Sequence, residues 1–242
     1  MWGLFYPYGI FLQALAILHF ARRRPDTFWL WIILVGGGLG ALVYIVAEVV
    51  PDVRLLQSAF QVFPRRKRIR QLEALVVDNP SVGNYEELGD LLLEDGQFAK
   101  ARECFDKVIA RADDVDALYH RALSELGVND VAAASSDLEK VLERDRKYAY
   151  QRAAGLYAHT RAVLGDNENA DALFKAVLET STLSETEYNY ASFLAARGRA
   201  AEARELVERL LRKKATMPDY LRRLERPWFR KASALRKRLP TA

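Results

Sequence analysis

Between Pro80 and Leu211 small residues return at a spacing near 34, and that recurrence restricts the segment to a stack of like units. The clearest unit begins at Val82. Tyr85, Leu88, Gly89, Leu92, Gly96, Phe98, Ala101, Phe105 and Val108 occupy its offsets 4, 7, 8, 11, 15, 17, 20, 24 and 27. Bulky residues at 4, 7, 24 and 27 fill the seam between two helices, while small residues at 8 and 20 let the helices cross closely. Weaker copies carry Tyr119, Ala134, Leu138 and Val141, then Gly165, Ala170, Phe174 and Val177, then Gly198, Ala203, Val207 and Leu210. Gly127, Gly165 and Gly198 are expected in the turn inside each pair, where the backbone takes angles that a side chain resists. The run Asp78, Asn79, Pro80, Ser81 stops one helix and caps the next.

This pattern resembles tetratricopeptide repeats from roughly Gln71 to Leu211. The resemblance implies an α-solenoid over residues 81–214, with end faces covered by capping helices. Arg65 to Val77, in a basic segment spanning 53–80, forms the first cap; Pro218 to Leu239, in the basic segment 215–242, forms the second. It also implies that offsets 2, 5, 9 and 12 of each first helix face a concave surface. Those are Glu86, Asp90 and Leu93 in the first unit, His120 and Ser124 in the second, Arg152 and His159 in the third, and Tyr188, Asn189 and Ser192 in the fourth. An acidic end beside a polar, aromatic end suits an extended peptide or a partner helix.

The N-terminal segment obeys a different rule. Phe28 to Val50 reads FWLWIILVGGGLGALVYIVAEVV, about 23 residues with one charge, which as a single helix spans roughly 34 Å and crosses a bilayer. Trp29 and Trp31 suit the headgroup level, and Gly36, Gly37, Gly40 and Ala41 offer small residues for close helix contact. Its expected partner is Trp2 to Ala21, interrupted by Pro7, Gln13 and His19. No basic residue precedes that run and no small-x-small site precedes Arg22, Arg23 and Arg24, so a cleaved leader is not expected. His19 and Glu48 are read as polar tips reaching the interface. The expected fold is therefore all-α: a two-helix transmembrane hairpin over residues 1–52, then the solenoid with its caps.

The stretch AILHFARRRPDTFWLW, followed by GGLGALVY, resembles the N-terminal membrane hairpin of the cardiolipin synthase and phospholipase D family. Gly37 and Glu48 depart from the family pattern, which generally has proline and glycine there. The resemblance implies paired His-x-Lys motifs for catalysis, and none exists: His19, His120 and His159 are followed by Phe-Ala, Arg-Ala and Thr-Arg. Only the anchor carries over.

Charge divides along the same lines. Residues 1–70 hold nine Lys/Arg against three Asp/Glu, 71–209 hold 16 against 27, and 210–242 hold 11 against two. An acidic body between basic ends argues against nucleic-acid binding by the repeats and suits a domain tethered beside anionic lipid. Arg65, Arg66, Lys67, Arg68 and Arg70 are the expected membrane-surface residues. The C-terminal cluster lies against headgroups, binds the acidic repeat surface, or is a solvated cap; all three stand open. Arg22 to Arg24 and the later Arg54 and 65–70 pull topology in opposite directions, and the larger count favours both termini in the cytoplasm of a bacterium-like cell, with a periplasmic repeat domain as the alternative.

Catalytic and metal chemistry find no motif. His120 and His159 have no carboxylate or cysteine at a ligand-like i+3 or i+4 position, and Cys104 falls where a small half-buried residue is expected. Neither a cofactor nor a metal is expected. The reading is a non-enzymatic scaffold at the bacterial inner membrane that binds a protein or peptide partner in its groove and lipid through its helices, with self-association through the Gly-rich helix open. The alternative is an accessory subunit of a phospholipid-synthesising enzyme or envelope-assembly complex. A lipid-acting enzyme using His120 or His159 is a third reading, and no turnover is expected.

Overall fold

A computed structural model describes residues 6–23, 27–45 and 54–240, with side chains over 9–20, 27–45 and 65–240. Trp2, Arg24, Glu48, Val50 and Pro51 lie outside the described residues, as do the side chains of Pro7, Arg22, Arg23 and Arg54. The chain forms two compact units, residues 1–70 and 71–242.

The first unit contains α1 (Tyr6–Arg23), α2 (Phe28–Val35) and α3 (Gly37–Tyr44). The α1 and α3 backbones approach closely: a Cβ placed on Gly38 of α3 would stand 3.0 Å from the Gly9 Cα of α1. Ala16, Ile33, Ala41 and Tyr44 fill the centre. The polar interruptions turn inward. Gln13 donates to the Ile33 carbonyl at 2.9 Å, and His19 Nδ1 lies 2.9 Å from the Tyr44 hydroxyl, so His19 is a packed residue rather than an interfacial tip. The outside is apolar, with Phe11, Trp31, Val35 and Leu39 each more than half exposed.

The single 34 Å rod expected from Phe28 does not form. Gly37 adopts φ +58°, and Gly40 sits so close to the Ile32 carbonyl that any Cβ there would collide with it. A straight helix would hold residues eight apart about 12 Å from each other. Three consecutive glycines explain the break, because they carry the greatest entropy penalty in a helix and alone take the left-handed region freely. Among the described residues, no helix is long and apolar enough to cross a membrane.

Helix α4 (Arg54–Asp78) enters the second unit, where helices pair in series: α5 (Val82–Glu94) with α6 (Phe98–Ile109), α7 (Val115–Gly127) with α8 (Val131–Arg144), α9 (Arg152–Val163) with α10 (Asn167–Thr180), and α11 (Ser184–Ala196) with α12 (Ala200–Thr216). The seam residues behave as their offsets require. Ala101, Phe105 and Val108 are buried, and a Cβ on Gly89 would stand 2.8 Å from the Phe105 ring. Ser81 caps α5 by accepting from the Asn84 amide at 3.3 Å. Gly96, Gly165 and Gly198 take φ of +77°, +88° and +76° in the intra-pair turns.

Gly127 does not share that role. Asn129 takes the left-handed position at φ +63°, which Asn tolerates better than most residues, and Gly127 is instead the place where a Cβ would strike the Phe98 ring. The sequence spacing also hides a phase change. Ala101 and Ala134 are 33 positions apart, as are Ala170 and Ala203, but Ala134 and Ala170 are 36 apart. Three residues in the left-handed region, Ala149, Tyr150 and Gln151, occupy the junction between the second and third pairs and absorb the excess. Tyr148 holds one side of this turn by donating to Asp116, and the Gln151 and Thr180 side chains hold the other, exchanging hydrogen bonds at 2.8 and 2.9 Å.

The C-terminal cap is two helices rather than one: α13 (Asp219–Leu224) and α14 (Arg226–Arg238), which meet at Glu225 with Pro227 in the first turn of α14. Phe229, Ala232 and Leu239 bury against the Val207 and Leu210 cluster of α12.

Candidate partner-binding groove

Among the first helices of the four pairs, α5 packs on α7, α9 on α11 and α14 on α11, and Tyr148, just ahead of α9, bonds to Asp116 of α7 and links the two halves into a row. Asp90 and His120 are brought together across α5 and α7, Oδ1 to Nδ1 2.8 Å, a pairing that no local spacing announces. This contact with Asp90 raises the His120 pKa against the opposing effect of burial, and the charges of Asp90, Asp116 and Asp114 add to the rise. Glu86 is also pushed up, by burial first and then by the charges of Asp114 and Asp90, so this end of the row concentrates negative charge. Leu93 is half-buried nearby in the helix.

Ser124 is not available to a partner. It is fully buried and donates to the His120 carbonyl of its own helix at 2.9 Å. The second pair is in register with the first when Ala122 aligns with Gly89, which places Tyr119 and Leu123 at offsets 5 and 9 and moves His120 and Ser124 one position past them. The signal for this was Asn129 as the turn residue. Tyr119 stacks obliquely on Tyr148 with centroids 5.0 Å apart, and burial pushes its phenol pKa up although the Arg152 charge opposes this.

Toward the other end the row turns cationic and aromatic. Arg152 Nε donates to Glu185 at 2.6 Å, joining α9 to α11. His159 is half-buried, and burial lowers its pKa, with Lys231 acting in the same direction and Glu185 against it. Tyr188 meets Trp228 of α14 with centroids 5.8 Å apart, and Lys231 lies 4.2 Å from the Trp228 centroid and 5.7 Å from that of Tyr188. Asn189 is buried and Ser192 half-buried on the same helix. Sequence reasoning did not place Asp116, Glu185, Trp228 and Lys231 in the groove; the last two belong to the C-terminal segment, for which headgroup contact, docking on the repeats and a solvated cap all stood open. The α4 residues Arg66, Lys67, Arg68 and Arg70 are exposed and Arg65 is half-buried.

Cys104 is buried, and its thiol is pushed up to about 11 by burial first and then by Glu103, which opposes thiolate chemistry. Among the described residues no three His, Cys, Asp or Glu side chains gather as a metal site.

Residues 82–114 match the tetratricopeptide repeat family. The fold is also that of solved repeat structures. YrrB, described as a TPR protein with an unusual peptide-binding site, superposes with TM-score 0.53 at 17% identity over 74% of this chain and 92% of its own. TTC0263, a thermophilic TPR protein in Thermus thermophilus, gives 0.52 at 20% identity over 76% and 96%. The putative kinesin light chain of Podosopora anserina, with nearly identical TPR-like repeats, gives 0.52 at 17% over 67% and 93%. No curated protein matches the chain. The second unit is thus an all-α tetratricopeptide-like solenoid, and the resemblance of the N-terminal stretch to the cardiolipin synthase hairpin rests on its sequence alone.

Proposed function

We propose that the chain is a non-enzymatic scaffold that binds an extended segment of a partner protein along the row formed by α5, α7, α9, α11 and α14, and that its N-terminal unit holds it at a bacterial inner membrane with the repeats in the cytoplasm. The observation that carries the binding reading is the charge gradient along that row, from the acidic Glu86, Asp90, Asp114 and Asp116 to Lys231 over Trp228 and Tyr188, with Arg152 between them engaged by Glu185. Such a gradient selects direction: a segment with Lys or Arg at the α5 and α7 end and an acidic or aromatic residue at the α14 end meets a complementary surface at each end. The peptide-binding site named for YrrB is a parallel on the same fold.

The apolar exterior of α1 to α3, with Gln13 and His19 satisfied inward, supports bilayer association, because polar groups turned in and apolar groups turned out is the arrangement that lipid requires. The test of binding is calorimetric titration of the detergent-solubilised full chain with two synthetic peptides of one composition, basic-to-acidic and its reverse. Binding of one order that is lost in Asp90→Lys and Lys231→Glu supports the groove. Equal binding of both orders, or none, rejects it.

A further inference from the structure

Helix α14 is held by one face and free on the other. Phe229 and Ala232 bury against α12, while Arg226, Arg230 and Lys237, at i, i+4 and i+11, align on a separate face about a third of a turn away and are exposed. None of Arg223, Arg226, Arg230, Arg236, Lys237 and Arg238 has a carboxylate partner among the described residues; the nearby Asp219 is engaged by Arg222. One turn apart on α13, just ahead of this charge in the chain, Tyr220 and Leu224 stand 70% and 72% exposed, outside any core. Lys231 points elsewhere, over Trp228 and Tyr188, so the outer row is separate from the partner groove.

We infer that the outer face of α13 and α14 docks on an anionic phospholipid surface, with the cations among headgroup phosphates and Tyr220 and Leu224 entering the interface. A nucleic acid would satisfy the cations, but an exposed leucine and tyrosine set one turn apart match the boundary between headgroup and acyl chain, where amphipathic helices of this composition lie. The inference rests on the proposal that the chain works at a bilayer, and adds a second, charge-selective contact to it. The solenoid is then held to the membrane at its C-terminal end as well as tethered through its N-terminal unit.

The test uses the full chain in lipid nanodiscs, in a Cys104→Ser background, with a fluorophore on Ala234→Cys or on Leu39→Cys and headgroup-nitroxide lipid as quencher. The Ala234 probe is expected to be quenched in discs rich in phosphatidylglycerol, and not in phosphatidylcholine discs or at high salt. Arg226→Glu/Arg230→Glu/Lys237→Glu weakens the docking by on the order of a hundredfold, whereas Arg226→Lys/Arg230→Lys retains it, which separates charge from folding. An unquenched Ala234 probe beside a quenched Leu39 probe overturns this inference and leaves the N-terminal anchoring intact. The converse keeps this inference and overturns that anchoring. Tight binding of duplex DNA through the same arginines, with no phosphatidylglycerol-dependent quenching, reassigns the face to nucleic acid and overturns the lipid inference.

Discussion

Asp90 of the first helix pair and His120 of the second meet at 2.8 Å, so the groove's most chemically distinctive contact also joins two repeats. The contact with Asp90 sets the folded-state pKa of His120 above the ordinary histidine value. A raised value means that the folded state binds the proton more tightly, so the contribution is complete below about pH 6.5 and fades as pH rises through the raised value. Asp90→Asn is therefore expected to lower the melting temperature in mildly acidic buffer and to leave it unchanged in alkaline buffer. The loss is under about 1 kcal/mol, because both side chains are partly open to water. A difference that grows with pH would contradict the assignment.

Glu125 gives the opposite slope. It is 5% exposed, and burial, followed by the Asp137 charge, pushes its pKa up to about 7. The folded state favours the neutral acid, so stability falls as pH rises from the ordinary carboxylate range through 7. Glu125→Gln is expected to stabilise the protein by on the order of 2 kcal/mol at pH 8 and to have no effect near pH 4. Arg121 stays in place, bidentate to Asp137 at 2.6 and 2.9 Å and bonded to Asp106 at 2.7 Å. Chemical denaturation at the two pH values measures both.

Gly127 and Gly165 look alike in sequence and are expected to fail differently. Gly127→Ala drives a methyl group into the Phe98 ring and lowers stability by about 1–3 kcal/mol through overpacking. Gly165→Ala meets open space but takes φ +88°, so its loss is about 1 kcal/mol of backbone strain. Phe98→Ala combined with Gly127→Ala separates the mechanisms, since the Gly127 effect shrinks in that background and the Gly165 effect does not.

Tyr150 is 92% exposed and sits at φ +53°. Tyr150→Gly removes left-handed strain without removing packing, and is expected to stabilise by about 1 kcal/mol; Tyr150→Val is expected to destabilise. Thermal melts of the two, run beside the parent, decide whether the turn is as strained as its angles imply.

The first repeat could be read from sequence because its packing is local: Gly89 faces the Phe105 ring, Ala101 is buried one turn before Phe105, and their sizes are carried in their spacing. The second could be read only approximately. Gly127 was the conspicuous small residue, but Asn129 makes the turn, and one position of slip substituted His120 and Ser124 for Tyr119 and Leu123. The Asp90–His120 and Arg152–Glu185 pairs were invisible for a different reason, since each joins helices whose relative rotation depends on seam volumes and not on either residue. In the N-terminal unit hydropathy identified the apolar segments, and the glycines read as a contact surface also ended the helix.

The left-handed residues between Tyr148 and Arg152 have a consequence for how this chain can change. A junction that takes up three additional residues and restores the 33-residue phase on its far side is a place where chain length is free to drift. Repeats one and two on one side, and three and four on the other, can each be exchanged or re-spaced as a block, so the two halves of the binding row are able to diverge toward separate features of a partner while remaining a single continuous surface.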